Sequence, residues 1–276
     1  ESGAGQHFSA TAAIAAKFSM PLTGVMGDVD VKRVNQNIIK AKHYGAKLKT
    51  VPGTLKEAIT EAIKIFSTNP EYAYICGSAV SSFPYPLIVQ FAQSIIGQEL
   101  RKQSLEQEGK LPNMLVGCVG GGSNFMGLIH EFLDEKEILK VGVEAAETAA
   151  LTNGTHGIMQ GMKTYMLQNA DGSKSLGGAS LGAGIQYFSV GPQHSFLKDQ
   201  GAVKYTSATD DEILDAYKLI AQTEGICSAL EPMAAASYVI KTAPKKPKDY
   251  IICLNLCGRG EKDLDTIQEH IGKDFE

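Results

Sequence analysis

The chain lacks several features that would assign its class at once. Its 26 basic side chains do not outnumber its 30 acidic ones, and the formal net charge is -4. That leaves no cationic excess to hold nucleic acid or an anionic membrane surface. No apolar run approaches the roughly 18 to 20 residues that a membrane span requires, and no secretory signal stands at the start. The five cysteines, Cys76, Cys118, Cys227, Cys253 and Cys257, are odd in number, scattered and without metal-ligand spacing. They lie mostly in apolar runs such as "YIICLNLC" and read as reduced core thiols of a cytoplasmic protein. There is no internal repeat and no low-complexity tail. With these classes set aside, a small-molecule ligand is the expectation.

What is present is an alternation of helical and strand patterns along all 276 residues, which implies an α/β fold with mostly parallel sheets flanked by helices, in two domains. Residues 9–18 read as an Ala-rich helix and 21–26 as a strand. A helix over 31–44 stops at Gly45, and a strand and turn follow in "KLKTVPG". Thr54 and Glu57 form a capping box ahead of an amphipathic helix, as do Thr209 and Glu212. Strands are expected at 72–77, 110–119, 139–147 and in "DYIICLNLCG", the last one buried. One long helix is expected from about Leu87 to Glu108, and further helices after the glycine cluster, in "EPMAAASYVIKT" and in "DLDTIQEHIG". The stretch 148–195, rich in Gly, Ser, Asn and Gln, is too long for an ordinary connection and reads as a functional loop region. His43, His130 and His270 fall on helical patterns as surface residues, and the aromatics of "SSFPYP" read as packing.

The most informative stretch is "VGCVGGGSNFMG". An apolar strand runs into Gly120, Gly121, Gly122, Ser123 and Asn124 and then into a helix. This is how an α/β sheet presents backbone N–H groups to a phosphate. It lacks the Gly-Lys-Ser/Thr of a P-loop and the GxGxxG register of a dinucleotide site; a tight turn without a ligand is the alternative. "ESGAGQH", with Glu1, Gln6 and His7, is a second glycine-containing turn entering a helix. It suits a carboxylate, or simply caps the helix. Cys257 in "NLCGRGEKD" stands at the carboxyl end of a strand, the usual ligand edge of such sheets, or is simply a buried cysteine before a glycine turn, and Glu231 stands at the start of a helix, where the dipole favours an acid.

Taken together, "ESGAGQH", "DVDVKRVNQN", "TLKEA", "FPYP", "EGKLPN", "CVGGGSN", "SVGPQH", "GICSALE" and "NLCGRGEKD" resemble the tryptophan synthase β subunit family of fold-type II pyridoxal phosphate enzymes, in order and over the whole chain. The resemblance implies a lyase that joins L-serine and indole into L-tryptophan and water on pyridoxal 5′-phosphate. It also implies a β homodimer working with an α subunit. Residues 1–96 would be the remainder of the N-terminal domain, including the segment that communicates with the α subunit, and residues 97–276 the C-terminal domain that binds the cofactor phosphate.

The same resemblance assigns roles. Glu1 becomes the acid–base residue, and Ser2, Gly3, Ala4, Gln6 and His7 the holders of the amino-acid carboxylate. Gly120, Gly121, Gly122, Ser123 and Asn124 hold the cofactor phosphate, Glu231 lies near the cofactor ring, and Cys257 contacts its pyridine nitrogen. Arg33 takes part in closure, and backbone carbonyls of Gly120, Tyr187 and Ser189 bind Na+ or K+.

The chain also departs from the family pattern. Cys257 stands where serine is usual, Gln186 where the closing aspartate is expected, and Met159 and Gln160 where an aromatic pair lines the indole passage. Phe8, in place of glycine, is expected to crowd the carboxylate loop. The His-Lys-x-Asn motif that bears the cofactor lysine is not in the sequence, and the expectation is a C-terminal piece of a longer enzyme. Other readings are another pyridoxal phosphate β-replacement or dehydratase activity on serine, or a non-catalytic partner.

Overall fold

The computed structural model describes residues 1–173 and 175–275; the side chain of Arg33 also lies outside the described residues. The chain forms two compact units, Glu1–Gly77 and Ser78–Glu276. Residues 78–96, expected to close the first domain, therefore belong to the second unit, because the helix they enter packs on the helix after the glycine loop.

In the first unit, α1 (Gln6–Lys17) leads to β1 (Thr23–Gly27), α2 (Asp28–Arg33), α3 (Asn35–His43), β2 (Lys47–Val51) and α4 (Leu55–Thr68). β1 and β2 pair in parallel, Thr23 opposite Lys47 through Gly27 opposite Val51. Side chains alternate across β1. Met26 joins Phe8, Ala12, Val34, Ile38 and Ala41 from the helices on one face, while Val25 meets Ala58 and Ala62 of α4 on the other. The Thr54–Glu57 capping box is present at α4, with the Thr54 N–H donating to Glu57 Oε2 at 2.9 Å.

In the second unit, α5 (Tyr85–Gln93), α6 (Ile95–Glu108), β3 (Met114–Cys118), α7 (Ser123–Ile129), β4 (Leu139–Ala145) and α8 (Ala150–Asn153) come first. The hairpin of β5 (Thr155–Met159) and β6 (Met162–Met166) follows, then α9 (Pro192–Asp199), β7 (Lys204–Ala208), α10 (Asp210–Glu224), α11 (Leu230–Thr242), β8 (Ile252–Leu254) and α12 (Leu264–Ile271). The main sheet has the order β7-β4-β3-β8, parallel throughout. Its inner strand β3 is wholly buried, as an apolar run without alternation requires when both faces are covered. Met114, Val116 and Cys118 face α10 and α11. Leu115 faces the opposite way, into Phe125, Leu128, Ile129 and Phe132.

Several expectations are corrected. Residues 72–77 form no strand; this segment bonds instead to the start of α1 through Tyr74 and Ile75. The 31–44 helix is two helices, broken at Val34, which leaves helical geometry and is buried. The 87–108 helix breaks at Ser94, whose hydroxyl donates to the Phe91 carbonyl at 2.8 Å, a local bond that competes with the helical ladder. β8 is half-buried rather than buried because it is the outer neighbour of β3. Phe83, expected in packing, is 80% exposed. Cys227 is exposed, and Cys76, Cys253 and Cys257 are half-buried, so Cys118 alone is a fully buried thiol among the five.

Leu115 is fully buried at the centre of the sheet. Leu115→Ala should cost about 2–5 kcal/mol, whereas Thr209→Ala, which removes the cap of α10, should cost about 1 kcal/mol. Denaturant titration of the two variants measures the difference.

Candidate functional site

In the second unit, β3 ends at Cys118 and the chain turns through Gly120, Gly121 and Gly122 into α7. A Cβ on Gly120 would overlap the Gly184 carbonyl, and one on Gly121 would stand 2.9 Å from Ser78 Oγ. Gly122 has φ +94 and faces the His194 ring. The loop therefore admits no side chain on its packed side. The Ser123 hydroxyl accepts from the Ala79 N–H at 2.8 Å, which leaves its own proton to donate. Asn124 is used differently from the expectation. Its side chain donates to the Cys118 carbonyl at 3.3 Å and accepts from Asn255 Nδ2 at 3.1 Å, so it braces the loop and only its backbone is left for a ligand.

His194 fixes the loop from below. Its Nε2–H donates to the Gly122 carbonyl at 2.8 Å, and the Tyr205 hydroxyl donates to Nδ1 at 2.8 Å. The ring also stacks on Phe125. Complete burial pulls its pKa down to about 4, partly opposed by the bond to Gly122, so the imidazole is neutral at pH 7.

Glu231 opens α11 and accepts from the Gly184 N–H at 2.7 Å. Lys262 Nζ reaches both Glu231 oxygens, at 2.8 and 2.9 Å, and both Asp263 oxygens, at 2.7 and 2.6 Å. Asp263 also accepts from the Leu230 N–H at 2.9 Å. Burial pulls the Lys262 pKa down, but the two carboxylates outweigh it and the net shift is upward. Burial, reinforced by the Glu231 charge, raises Asp263 in spite of Lys262. Cys257 lies with its Sγ 3.5 Å from that of Cys118. Tyr187 and Ser189 are buried in the same unit, and Gln186 is half-buried after the Ala183–Ile185 turn. Met159 and Gln160 stand at the tip of the β5–β6 hairpin, with Gln160 at φ +49.

In the first unit, the residues of "ESGAGQH" gather at the start of α1, where Gly5 caps the helix at φ 73. Ser2 is buried and its N–H donates to the Val25 carbonyl at 3.3 Å. Asn37 Nδ2 donates to the Ala4 carbonyl at 2.8 Å, and Gly3 lies against Leu55. His7 Nε2 donates to the Ile75 carbonyl at 3.1 Å, and Gln6 begins the helix. Glu1 accepts a hydrogen bond from the Tyr74 hydroxyl at 2.7 Å, at the rim of a cavity of about 80 Å³ walled by Val25, Ile65 and Phe66. Phe8 does not crowd this loop. It is buried in the core, where its ring fills the place a side chain on Gly24 would occupy. The side chain of Arg33 lies outside the described residues.

Sequence reasoning missed Tyr74, His194, Tyr205, Asn255 and the Lys262–Asp263 pair as working parts. "EKD" immediately after a glycine turn and "VGPQH" were on view as motifs, but neither spacing says which partner each side chain meets.

Lys262→Met would leave the Glu231 and Asp263 carboxylates buried without their cation, and the expected loss is about 3–5 kcal/mol by thermal or denaturant unfolding. His194 has a depressed folded pKa, so its contribution is complete above the ordinary histidine value of 6.5 and is lost as pH falls through about 4. Wild type minus His194→Gln stability should therefore shrink by about 3 kcal/mol between pH 6.5 and 4; a constant difference would mean that the ring titrates normally.

The chain matches the family model described as pyridoxal-phosphate dependent enzyme over residues 1–258. It is 45% identical over 288 residues to the tryptophan synthase beta chain of Dinoroseobacter shibae, an alignment covering all of this chain and 70% of that one. The beta chain of Allorhizobium ampelinum is 45% identical over 284 residues, covering 99% of this chain and 70% of its own length. That of Rhodopseudomonas palustris is 44% identical over 286, covering 100% and 70%. Among solved structures, a ligand-bound mutant of O-ureido-L-serine synthase superposes with a TM-score of 0.70 at 18% identity, covering 98% of this chain and 74% of its own; that likeness concerns the fold. A glycine loop closed to side chains on its packed side, on the parallel sheet of such a fold, and near-half identity along the chain lead to one assignment: the chain belongs to the tryptophan synthase β chain family of pyridoxal-phosphate-dependent enzymes.

Proposed function

We infer that this chain contributes to the β-replacement that joins L-serine and indole to give L-tryptophan and water in a pyridoxal 5′-phosphate-dependent lyase of tryptophan biosynthesis; the lysine that bears the cofactor in this family is not among its residues. The observation that carries this reading is the Gly120–Gly122 loop, where a Cβ at each position would meet packed atoms. Such close packing suits a segment whose backbone N–H groups must approach an anion directly. The residues present fit the cofactor's phosphate and ring: the loop N–H groups and the Ser123 hydroxyl would hold its phosphate, and Cys257, with Glu231 nearby, would face its ring. When bound, the cofactor supplies an electron sink for charge developing on the amino-acid α-carbon.

The remaining roles belong to the protein. Ser2, Gly3, Ala4, Gln6 and His7 orient the substrate carboxylate at the start of α1, where the helix dipole favours an anion. Glu1 holds and returns the proton, first assisting loss of the serine hydroxyl and then taking the proton from indole. The Tyr74 hydroxyl fixes which Glu1 oxygen is left to do so. The apolar walls beside it suit an aromatic nucleophile and keep water away. Arg33 and Gln186 act in closure, and Na+ or K+ binds at the carbonyls of Gly120, Tyr187 and Ser189. The protein works in the cytoplasm as a β homodimer with an α subunit that supplies indole. No helix among the described residues is long and apolar enough to cross a membrane.

A dehydratase-like reaction on serine is the second reading. Met159 and Gln160 favour it, being non-aromatic where an indole passage would need aromatic walls.

The test uses the full-length gene product with pyridoxal phosphate, L-serine and indole. Tryptophan formation is expected; pyruvate release without tryptophan would support the second reading. Glu1→Gln should lower turnover by about 10²–10⁴-fold. Tyr74→Phe, which removes one hydrogen bond, should lower it by about 2–10-fold and alter the pH profile of kcat, which a merely structural role would leave unmoved.

A further inference from the structure

Cys118 and Cys257 stand at the carboxyl ends of adjacent parallel strands, β3 and β8, whose pairing includes Val116 opposite Leu254 and a bond from the Asn255 N–H to the Val116 carbonyl at 2.9 Å. Neighbouring strands lie about 4.8 Å apart, a spacing within the Cα separations that disulfides span. The two sulfurs are already 3.5 Å apart and share a hydrogen bond. Both belong to the apolar cluster beneath α10 and α11. Gly258 follows Cys257 at φ +82, so the turn that would have to adjust has a permissive residue next to it.

We propose that Cys118 and Cys257 form a reversible dithiol–disulfide couple, a redox modification site at the foot of the glycine loop, whose oxidation loosens the loop's hold on its ligand. The disulfide itself follows from geometry; its effect on the cofactor rests on the proposed function.

The two thiols are unequal, as exchange chemistry requires. Their mutual hydrogen bond holds Cys257 below the usual thiol pKa and, with burial, pushes Cys118 well above it. Cys257 is therefore the attacking thiolate and is also the more exposed of the two. With a peroxide as oxidant, the Cys257 sulfur displaces hydroxide from the O–O bond and becomes a sulfenic acid. The Cys118 sulfur then attacks it, forming the S–S bond and expelling the sulfenyl oxygen as water. The thiol pair gives up two electrons and two protons, and the peroxide leaves as two waters. The link to ligand binding is direct. Asn124 Nδ2, which braces the loop, bonds to both the carbonyl and the sulfur of Cys118, at 3.3 and 3.8 Å, so moving that sulfur disturbs the brace.

The test treats the full-length holoenzyme with hydrogen peroxide, blocks free thiols and maps the peptides. The expected result is a Cys118–Cys257 cross-linked peptide, removed by dithiothreitol and lost in both Cys118→Ser and Cys257→Ser. The exposed Cys227 serves as an internal control for oxidant and blocking reagent. A map in which Cys227 is modified but the Cys118–Cys257 peptide never forms, or one dominated by links through Cys76 or Cys253, overturns the proposal without reference to any variant's folding. In the second arm, oxidised and reduced holoenzyme are dialysed and the retained pyridoxal phosphate is measured. A fall in retention of about 2–10-fold, the worth of one hydrogen bond, is expected; equal retention overturns control of the ligand. Disulfide formation in a protein that makes no tryptophan would count against the proposed function alone.

Discussion

The ammonium of Lys262 holds the second unit's ligand edge together. Its side chain is only 5% exposed, a placement that costs several kcal/mol in desolvation unless partners are close. Here two carboxylates bond to it, and each carries a backbone segment with it: Glu231 fixes the Gly184 N–H, and Asp263 fixes the first N–H of α11 at Leu230. The Gly184 carbonyl in turn occupies the space that a side chain on Gly120 would need. A chain of contacts thus runs from Lys262 through Glu231 and the Gly184 turn to the glycine loop. Because the group contains two carboxylates and one ammonium, it has no spare positive charge to offer a ligand; its part in the site is to hold shape.

His194 reaches the same loop from the other side and is also electrically silent. Buried, neutral and bonded through both nitrogens, it fixes the Gly122 carbonyl and adds no charge. On the proposed function, attraction for the cofactor phosphate at this loop would come from backbone N–H groups at the start of α7 and from the Ser123 hydroxyl. Such a site would read shape more than net charge, because the Gly122 carbonyl and the Ser123 hydroxyl are held in buried bonds.

Much of this was legible in the sequence because it rests on local chemistry. Both capping boxes, the run of β3 into Gly120, and the helix of α10 follow from residue order alone. The failures have a common physical origin: they depend on what lies opposite. "YAYICG" alternates like a strand, yet Tyr74 and Ile75 bond with side chains of α1's approach, so the alternation marks a bonding edge without a ladder. "YIICLNL" is apolar enough for a central strand, but its place outside β3 leaves β8 half-buried. The split at Ser94 turns on a side-chain bond to Phe91, and Gly97 beyond it lies against the Leu128 and Gly127 carbonyls, a close approach of α6 to α7 that periodicity cannot reveal. The site was legible as motifs and invisible as partnerships: Glu231 could be named, but Lys262 as its counter-ion could not.

The two departures nearest these sites show how substitution and context are read together. Phe8 stands where the family resemblance leads one to expect glycine, and taken alone it would crowd the carboxylate loop. The structure turns it inward over Gly24, where a Cβ would overlap its ring, so the added volume on α1 is matched by missing volume on β1 and the loop is left clear. Cys257 replaces serine in a different setting. Its neighbour is a second thiol, and no missing volume offsets the exchange; the chemistry of the pair is new even though the shape is nearly kept. A substitution matched by volume is absorbed into packing, whereas one that brings two like reactive groups to 3.5 Å adds a chemical property that neither residue has alone.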